Sequence, residues 1–202
     1  MNILAIGSHY DDIELAVGGT MAKYKSTGNN TYGIVVTQSD YEDREYNTAM
    51  VEGVNAATIL GYELIRLEKP TRSVIYCRDL IQELDRYLVE LKIDTIITHW
   101  IHDVHQDHSA VGRATITAAR HFPRILMYRS NWYSTSDTFN GRFYVDISEY
   151  IDVKKEAIMA HVSEYDKRGK EWLEFFVEQN KACGMIVGTK YAEEFEVVKW
   201  LE

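Results

Sequence analysis

The sequence predicts an α/β fold, an open and mostly parallel sheet with helices on both faces. Three observations predict it. Short apolar runs rich in β-branched residues recur along the first two-thirds of the chain. Longer stretches with helical periodicity lie between them. The residues that follow the apolar runs are unusually polar, as expected where an open α/β sheet binds ligands beyond the carboxyl ends of its strands.

The elements follow in order. Residues 3–7 (ILAIG) and 32–37 (YGIVVT) read as buried strands, 64–67 is a weaker third, and 95–98 (TIIT) and 124–128 (RILMY) are the fourth and fifth. Continuous apolar runs of this length suit strands covered on both faces. Gly18, Gly19 and Thr20 mark the expected start of the first helix. Met50, Val54, Ala57 and Leu60 repeat at helical spacing, with Gly61 as a stop signal. Leu80, Leu84, Leu88 and Leu91 form a second such face, and Ala110, Val111, Ala114 and Ala118 a third. Strand and helix in alternation imply right-handed βαβ units. After Gly141 the pattern predicts a strand at 143–147, two helices and a last strand near 196–200, with no site-like cluster.

Composition narrows the function. The 202 residues carry 22 Lys plus Arg against 31 Asp plus Glu, a formal net charge of −9, with no basic run. Such a chain is a poor partner for nucleic acid. Cys77 and Cys183 are the only cysteines, which excludes a disulfide framework and a cysteine-rich zinc site. No apolar run approaches the roughly 20 residues of a membrane span. A carboxylate pair follows the first apolar run too soon for a signal peptide, so the cytoplasm is the expected compartment. No repeat or linker divides the chain, and residues 1–202 read as a single domain.

Chemistry concentrates in two loops. The first strand runs into Ser8-His9-Tyr10-Asp11-Asp12, without the Gly-x-Gly-x-x-Gly of a dinucleotide site. One imidazole and two adjacent carboxylates suit zinc or another divalent ion, one carboxylate binding metal while its neighbour faces substrate. The fourth strand runs into residues 99–108, which hold His99, His102, His105 and His108 with Asp103 and Asp107 among them. His105 and His108 are three apart, so an opening helix puts both on one face. One could bind metal and the other do proton work, with Asp107 orienting one of them. Three protein ligands plus an open position is the arrangement of a catalytic zinc site, and a free carboxylate beside it is a natural general base.

Residues 8–20 (SHYDDIELAVGGT) together with His105 to His108 (HQDH) resemble the PIG-L/LmbE-like family of zinc-dependent N-deacetylases. Its first motif reads A-H-P-D-D-E followed by G-G-T, and its second H-x-D-H. Ala56-Ala57 with Leu60-Gly61 and the late Tyr191-Ala192-Glu193-Glu194-Phe195 also fit. The resemblance implies a Rossmann-like fold, a single PIG-L/LmbE-like deacetylase domain over 1–202, and zinc held by His9, Asp12 and His108. It implies Asp11 as general base, His105 as proton donor or oxyanion stabiliser, and Asp107 as the partner that orients His105. The implied substrate is a small-molecule amino sugar such as an N-acetylglucosamine derivative, and relatives of this kind are often homo-oligomers. Tyr10 stands where the family has Pro, and Ile13 where it has an acidic residue. A substrate-binding Arg four residues before the second helix's Glu is replaced by Thr48, with Arg44 one turn earlier as the substitute. Asp40 and Arg129, beyond the second and fifth strands, are further candidates for substrate contact. His161, beside Ile158 and Val162, reads as structural, and Trp172, Phe175 and Phe176 as core or subunit contact. Two rival readings remain: a metal-dependent hydrolase of another amide or ester, and a metal-binding module without catalysis. A two-metal phosphoesterase would need Asp103 or Asp40 as a bridge.

Overall fold

A computed structural model describes residues 1–39 and 47–202. Asp40 and Arg44 lie outside the described residues.

One seven-stranded sheet organises the chain, with strand order β3-β2-β1-β4-β5-β7-β6. The five strands β1 (Asn2–Gly7), β2 (Asn30–Thr37), β3 (Glu63–Lys69), β4 (Thr95–His99) and β5 (Arg124–Tyr128) are parallel. The strands β6 (Phe143–Asp146) and β7 (Ala192–Trp200) are antiparallel to their neighbours. The expected fold class is the one observed. β1 is central because it is apolar on both faces: Ile3, Leu4, Ala5 and Ile6 are all fully buried. Leu4 and Ile6 face the leucine stripe of α3 (Arg78–Glu90), while Ile3 and Ala5 face the layer of α1 (Asp12–Ser26) and α2 (Thr48–Leu60).

Two expectations are corrected. The first helix begins at Asp12, so Gly18-Gly19-Thr20 lies in its middle. The glycines serve packing, not initiation: a Cβ at Gly19 would stand 2.8 Å from Ile147. The last part of the chain holds three helices, α5 (Ile151–Met159), α6 (Val162–Arg168) and α7 (Lys170–Val187), where two were expected. Gly169, at φ 78°, separates α6 from α7. α6 is tied to α2 by Glu52, whose carboxylate accepts from Ser163 N at 2.8 Å and Ser163 Oγ at 2.7 Å. Glu164 and Arg168 of α6 line the same cleft as His9, Asp11 and Asp12 after β1. The topology reverses at β1, whose neighbours are β2 and β4, and the crevice there is where this architecture binds ligands.

Candidate metal centre and cleft

The loop after β1 and the loop after β4 meet at this crevice. His9 Nδ1 lies 3.2 Å from His108 Nε2 and 3.4 Å from Asp12 Oδ2, and His108 Nε2 lies 3.3 Å from Asp12 Oδ1. Donors bound tetrahedrally at about 2.0 Å stand roughly 3.3 Å apart, so this triangle fits a single ion. The donor chemistry, two imidazoles and a carboxylate, fits a divalent cation of the zinc type. Burial alone would lower the His9 pKa, yet Asp107 and Asp12 push it up to about 10. The carboxylates that hold a proton there would hold a metal cation in its place. Asp12 is held well below the usual carboxylate range, since the nearby His108, His99 and His9 outweigh its burial.

Each donor is fixed by a partner. Asp12 Oδ2 accepts from His9 N at 2.7 Å, and Asp12 Oδ1 from Ser130 Oγ at 2.7 Å. His108 Nδ1 meets Asp103 Oδ2 at 3.2 Å, and Asn131 Nδ2 donates to both oxygens of Asp103. His9 Nε2 meets Asp107 Oδ2 at 3.2 Å. These contacts leave each ring's second nitrogen for the ion, the arrangement in which outer carboxylates orient ligating histidines.

Asp107 therefore differs from its expected role. Its carboxylate orients His9, not His105, and also accepts the backbone N–H groups of Arg72 at 2.7 Å and Val74 at 3.1 Å. The reason is local: His105 caps α4 (Gln106–Ala118), so Asp107 presents its backbone N–H, at 3.2 Å, to His105 Nδ1. With Nδ1 accepting, the proton of a neutral His105 ring sits on Nε2. Burial, and then the nearby His108 and His9, lower its pKa to about 4.

Asp11 is half-buried at the N-cap of α1, but its side chain makes no capping bond and no other hydrogen bond among the described residues. Burial and the Asp12 carboxylate beside it raise its pKa. Arg129 turns away from the cleft, donating to the Tyr133 carbonyl at 2.9 Å with its guanidinium over the Trp100 ring.

His99 also sits beside the donors, stacked on His108 with ring centroids 4.1 Å apart. Among the described residues it also clusters with Asp12 and His108 at metal-ligand spacing, as His105 does with His9 and His108, so each of these clusters shares two members with the triangle. Its Nε2 accepts from Ser8 N at 2.9 Å, which occupies the lone pair a metal would need.

The open cleft beside Asp11 is lined by His105, Trp132, His161, Glu164, Arg168 and Trp172, among others. Four of these lie after residue 160, where no site-like cluster was expected. His161 resembles a core residue in sequence because Ile158 and Val162 flank it; at the site it stands between the Glu52 tie to Ser163 and the carboxylate of Glu14, 3.4 Å from its Nε2.

The fold and the donor cluster define a class: a Rossmann-like α/β protein with a His/Asp site able to hold a divalent ion at the carboxyl edge of its sheet. Residues 4–119 match the sequence profile of the PIG-L family, described as GlcNAc-PI de-N-acetylase, and the chain belongs to that family. The uncharacterized deacetylase YaiS of Escherichia coli is 32% identical over 171 residues, covering 80% of this chain and 90% of YaiS. The diacetylchitobiose deacetylase of Thermococcus kodakarensis is 24% identical over 220 residues, covering 97% of this chain and 82% of the relative. The solved structure of the conserved protein TT1542 from Thermus thermophilus superposes with a TM-score of 0.89 at 24% identity, covering 99% of this chain and 96% of the other. Among the described residues, no helix is long and apolar enough to cross a membrane.

Proposed function

We propose that the chain is a metal-dependent amidohydrolase that removes an N-acyl group, acetyl in the first instance, from an amino sugar or glycoconjugate. The observation that carries this reading is the unengaged carboxylate of Asp11, adjacent in sequence to a residue of the His9, Asp12 and His108 triangle. A purely metal-holding module has no use for it. The diacetylchitobiose deacetylase among the relatives supports an amino-sugar amide as substrate.

His9, Asp12 and His108 would hold the ion, with zinc the metal the donor set favours. When bound, it supplies Lewis acidity toward the amide carbonyl. Asp11 takes a proton from the attacking water, as a carboxylate with its lone pairs free can. The Nε2–H of His105 donates to the oxygen that becomes negative as the carbonyl carbon turns tetrahedral. Asp103, Asp107 and Ser130 keep the metal-holding side chains in register. Two free cysteines suit a reducing compartment, and the cytoplasm is the proposed one.

The test is acetate release from a panel of N-acetylated sugars, free, phosphorylated and glycosidically linked, by zinc-loaded protein. Release from at least one, abolished by chelator and restored by zinc, supports the reading. Metal-loaded protein that cleaves no amide but hydrolyses an ester or phosphoester would overturn it.

A further inference from the structure

We propose that His161 is a further catalytic residue, donating the proton that the leaving amine nitrogen needs; this rests on the deacylation proposed above. Three observations meet at this side chain. It lines the cleft together with Asp11 and His105. Its Nε2 lies 3.4 Å from Oε2 of Glu14, an ion-pair distance, though off-line for a hydrogen bond. Its Nδ1 has no hydrogen-bond partner among the described residues and is the polar ring atom left open to the cleft.

Glu14 explains why the ring is there. The carboxylate is completely buried, and Tyr62 donates to its Oε1 at 2.5 Å. A buried carboxylate needs a compensating partner. On the Oε2 side that partner is His161, itself 2% exposed. A carboxylate behind one ring nitrogen, with the other nitrogen facing a reaction cleft, orients an imidazole and stabilises its charged form. Among the described residues, the charged groups around the ring act in the same direction except one. Asp11 and Glu14 approach from α1, Glu52 from α2 and Glu164 from α6; Arg168, also on α6, is the opposing cation and is paired with Glu164 at 2.7 Å. Burial lowers the His161 pKa, but Glu14, Asp11 and Glu52 raise it above the ordinary value.

The division of labour follows from atoms already placed. His105 spends Nδ1 on the Asp107 N–H and presents one proton, on Nε2, to the oxyanion. The leaving nitrogen needs a different proton. As the tetrahedral adduct collapses, the carbon–nitrogen bond breaks and its electron pair goes to nitrogen. The carbonyl re-forms, and the Nδ1 proton of His161 moves onto the nitrogen. The amine leaves neutral. His161, now neutral, is reprotonated from solvent, while Asp11 gives up the proton it took from water.

His161→Gln is the decisive variant, because its amide nitrogen takes the place of Nε2 beside Glu14 while the Nδ1 donor is lost. It is compared with wild type on the best amide of the acetate-release panel, across pH, after circular dichroism and metal analysis. The expected result is a kcat lower by roughly 10²–10⁴-fold, KM within about threefold, metal content unchanged, and loss of the alkaline limb that the need for a protonated His161 imposes on the bell-shaped wild-type kcat profile. His161→Asn, which instead places an amide nitrogen near Nδ1, should be equally slow, and it decides the matter should the Gln variant not fold. A folded variant with kcat within threefold of wild type overturns the assignment, as does a slower one that keeps the full bell-shaped profile. A wild-type protein that releases no acetate from any amide instead removes the deacylation reading itself.

Discussion

Lys154 Nζ lies 2.6 Å from Glu193 Oε1, and both side chains are completely buried. The same carboxylate accepts the backbone N–H groups of Gly19 at 2.9 Å and Thr20 at 2.7 Å. Glu193 therefore pins the middle of α1, whose first turn carries Asp12 and Glu14, to β7 at the far side of the sheet. The Gly-Gly-Thr and the late Tyr-Ala-Glu elements, about 170 residues apart in the chain, are two halves of one buttress.

Removing the ammonium leaves a buried carboxylate without its counter-charge, which typically costs about 3–5 kcal/mol. Lys154→Met should lower the unfolding free energy by that order in urea titrations. A variant as stable as wild type would show that the two backbone N–H groups suffice to hold the charge.

The cleft's sequence signals divide by physical cause. The proximity of His9, Asp12 and His108 was legible because His9 and Asp12 follow β1 by two and five residues and His108 sits in the first turn of α4, just beyond the loop that follows β4. The partner of Asp107 was not legible, because it depends on which atom His105 uses to cap α4. Nor was the role of Asp103, whose carboxylate faces His108 only through the turn between His99 and His105. Tyr10, at the position where the resembled motif calls for Pro, is accommodated by Gly53 on α2, where a Cβ would run into the Tyr10 ring. Nothing near Tyr10 in sequence signals that compensation.

The two thiols should differ in reactivity. Cys77 is exposed, whereas Cys183 is 4% exposed and its thiol is pushed up to about 12 by burial and by Glu194. Since the thiolate is the nucleophile, Cys183 should stay inert at pH 8. A disulfide reagent should titrate one thiol in native protein and two in denaturant. Two fast thiols in the native state would contradict the burial of α7 against β7.

Asp11→Asn keeps the shape of the side chain and removes its basicity. Asp11 is outside the donor triangle, so zinc content should match wild type while acetate release falls by roughly 10²–10⁴-fold. Wild-type turnover in a zinc-replete Asn variant would mean that the water's proton goes elsewhere, and His105 would be the next group to test.

The last prediction separates the two aspartates that stand behind the histidines proposed to hold the metal. Asp103 faces His108 Nδ1 and Asp107 faces His9 Nε2, each at 3.2 Å. Loss of such an outer partner weakens metal binding by roughly 10–100-fold, because the ring is no longer held with its free nitrogen toward the ion. Asp103→Asn and Asp107→Asn should both fall in this range in competition titrations with a chromogenic zinc chelator. They should differ in a second readout. Asp107 also accepts the N–H groups of Arg72 and Val74, so its loss should raise hydrogen exchange at those two amides. Asp103 accepts instead from His105 N, at 2.8 Å, so its loss should loosen the start of α4. If Asp107→Asn changed exchange at residues 72 and 74 but left zinc affinity at the wild-type value, Asp107 would be a loop anchor alone, and the orientation of His9 would rest on Asp12.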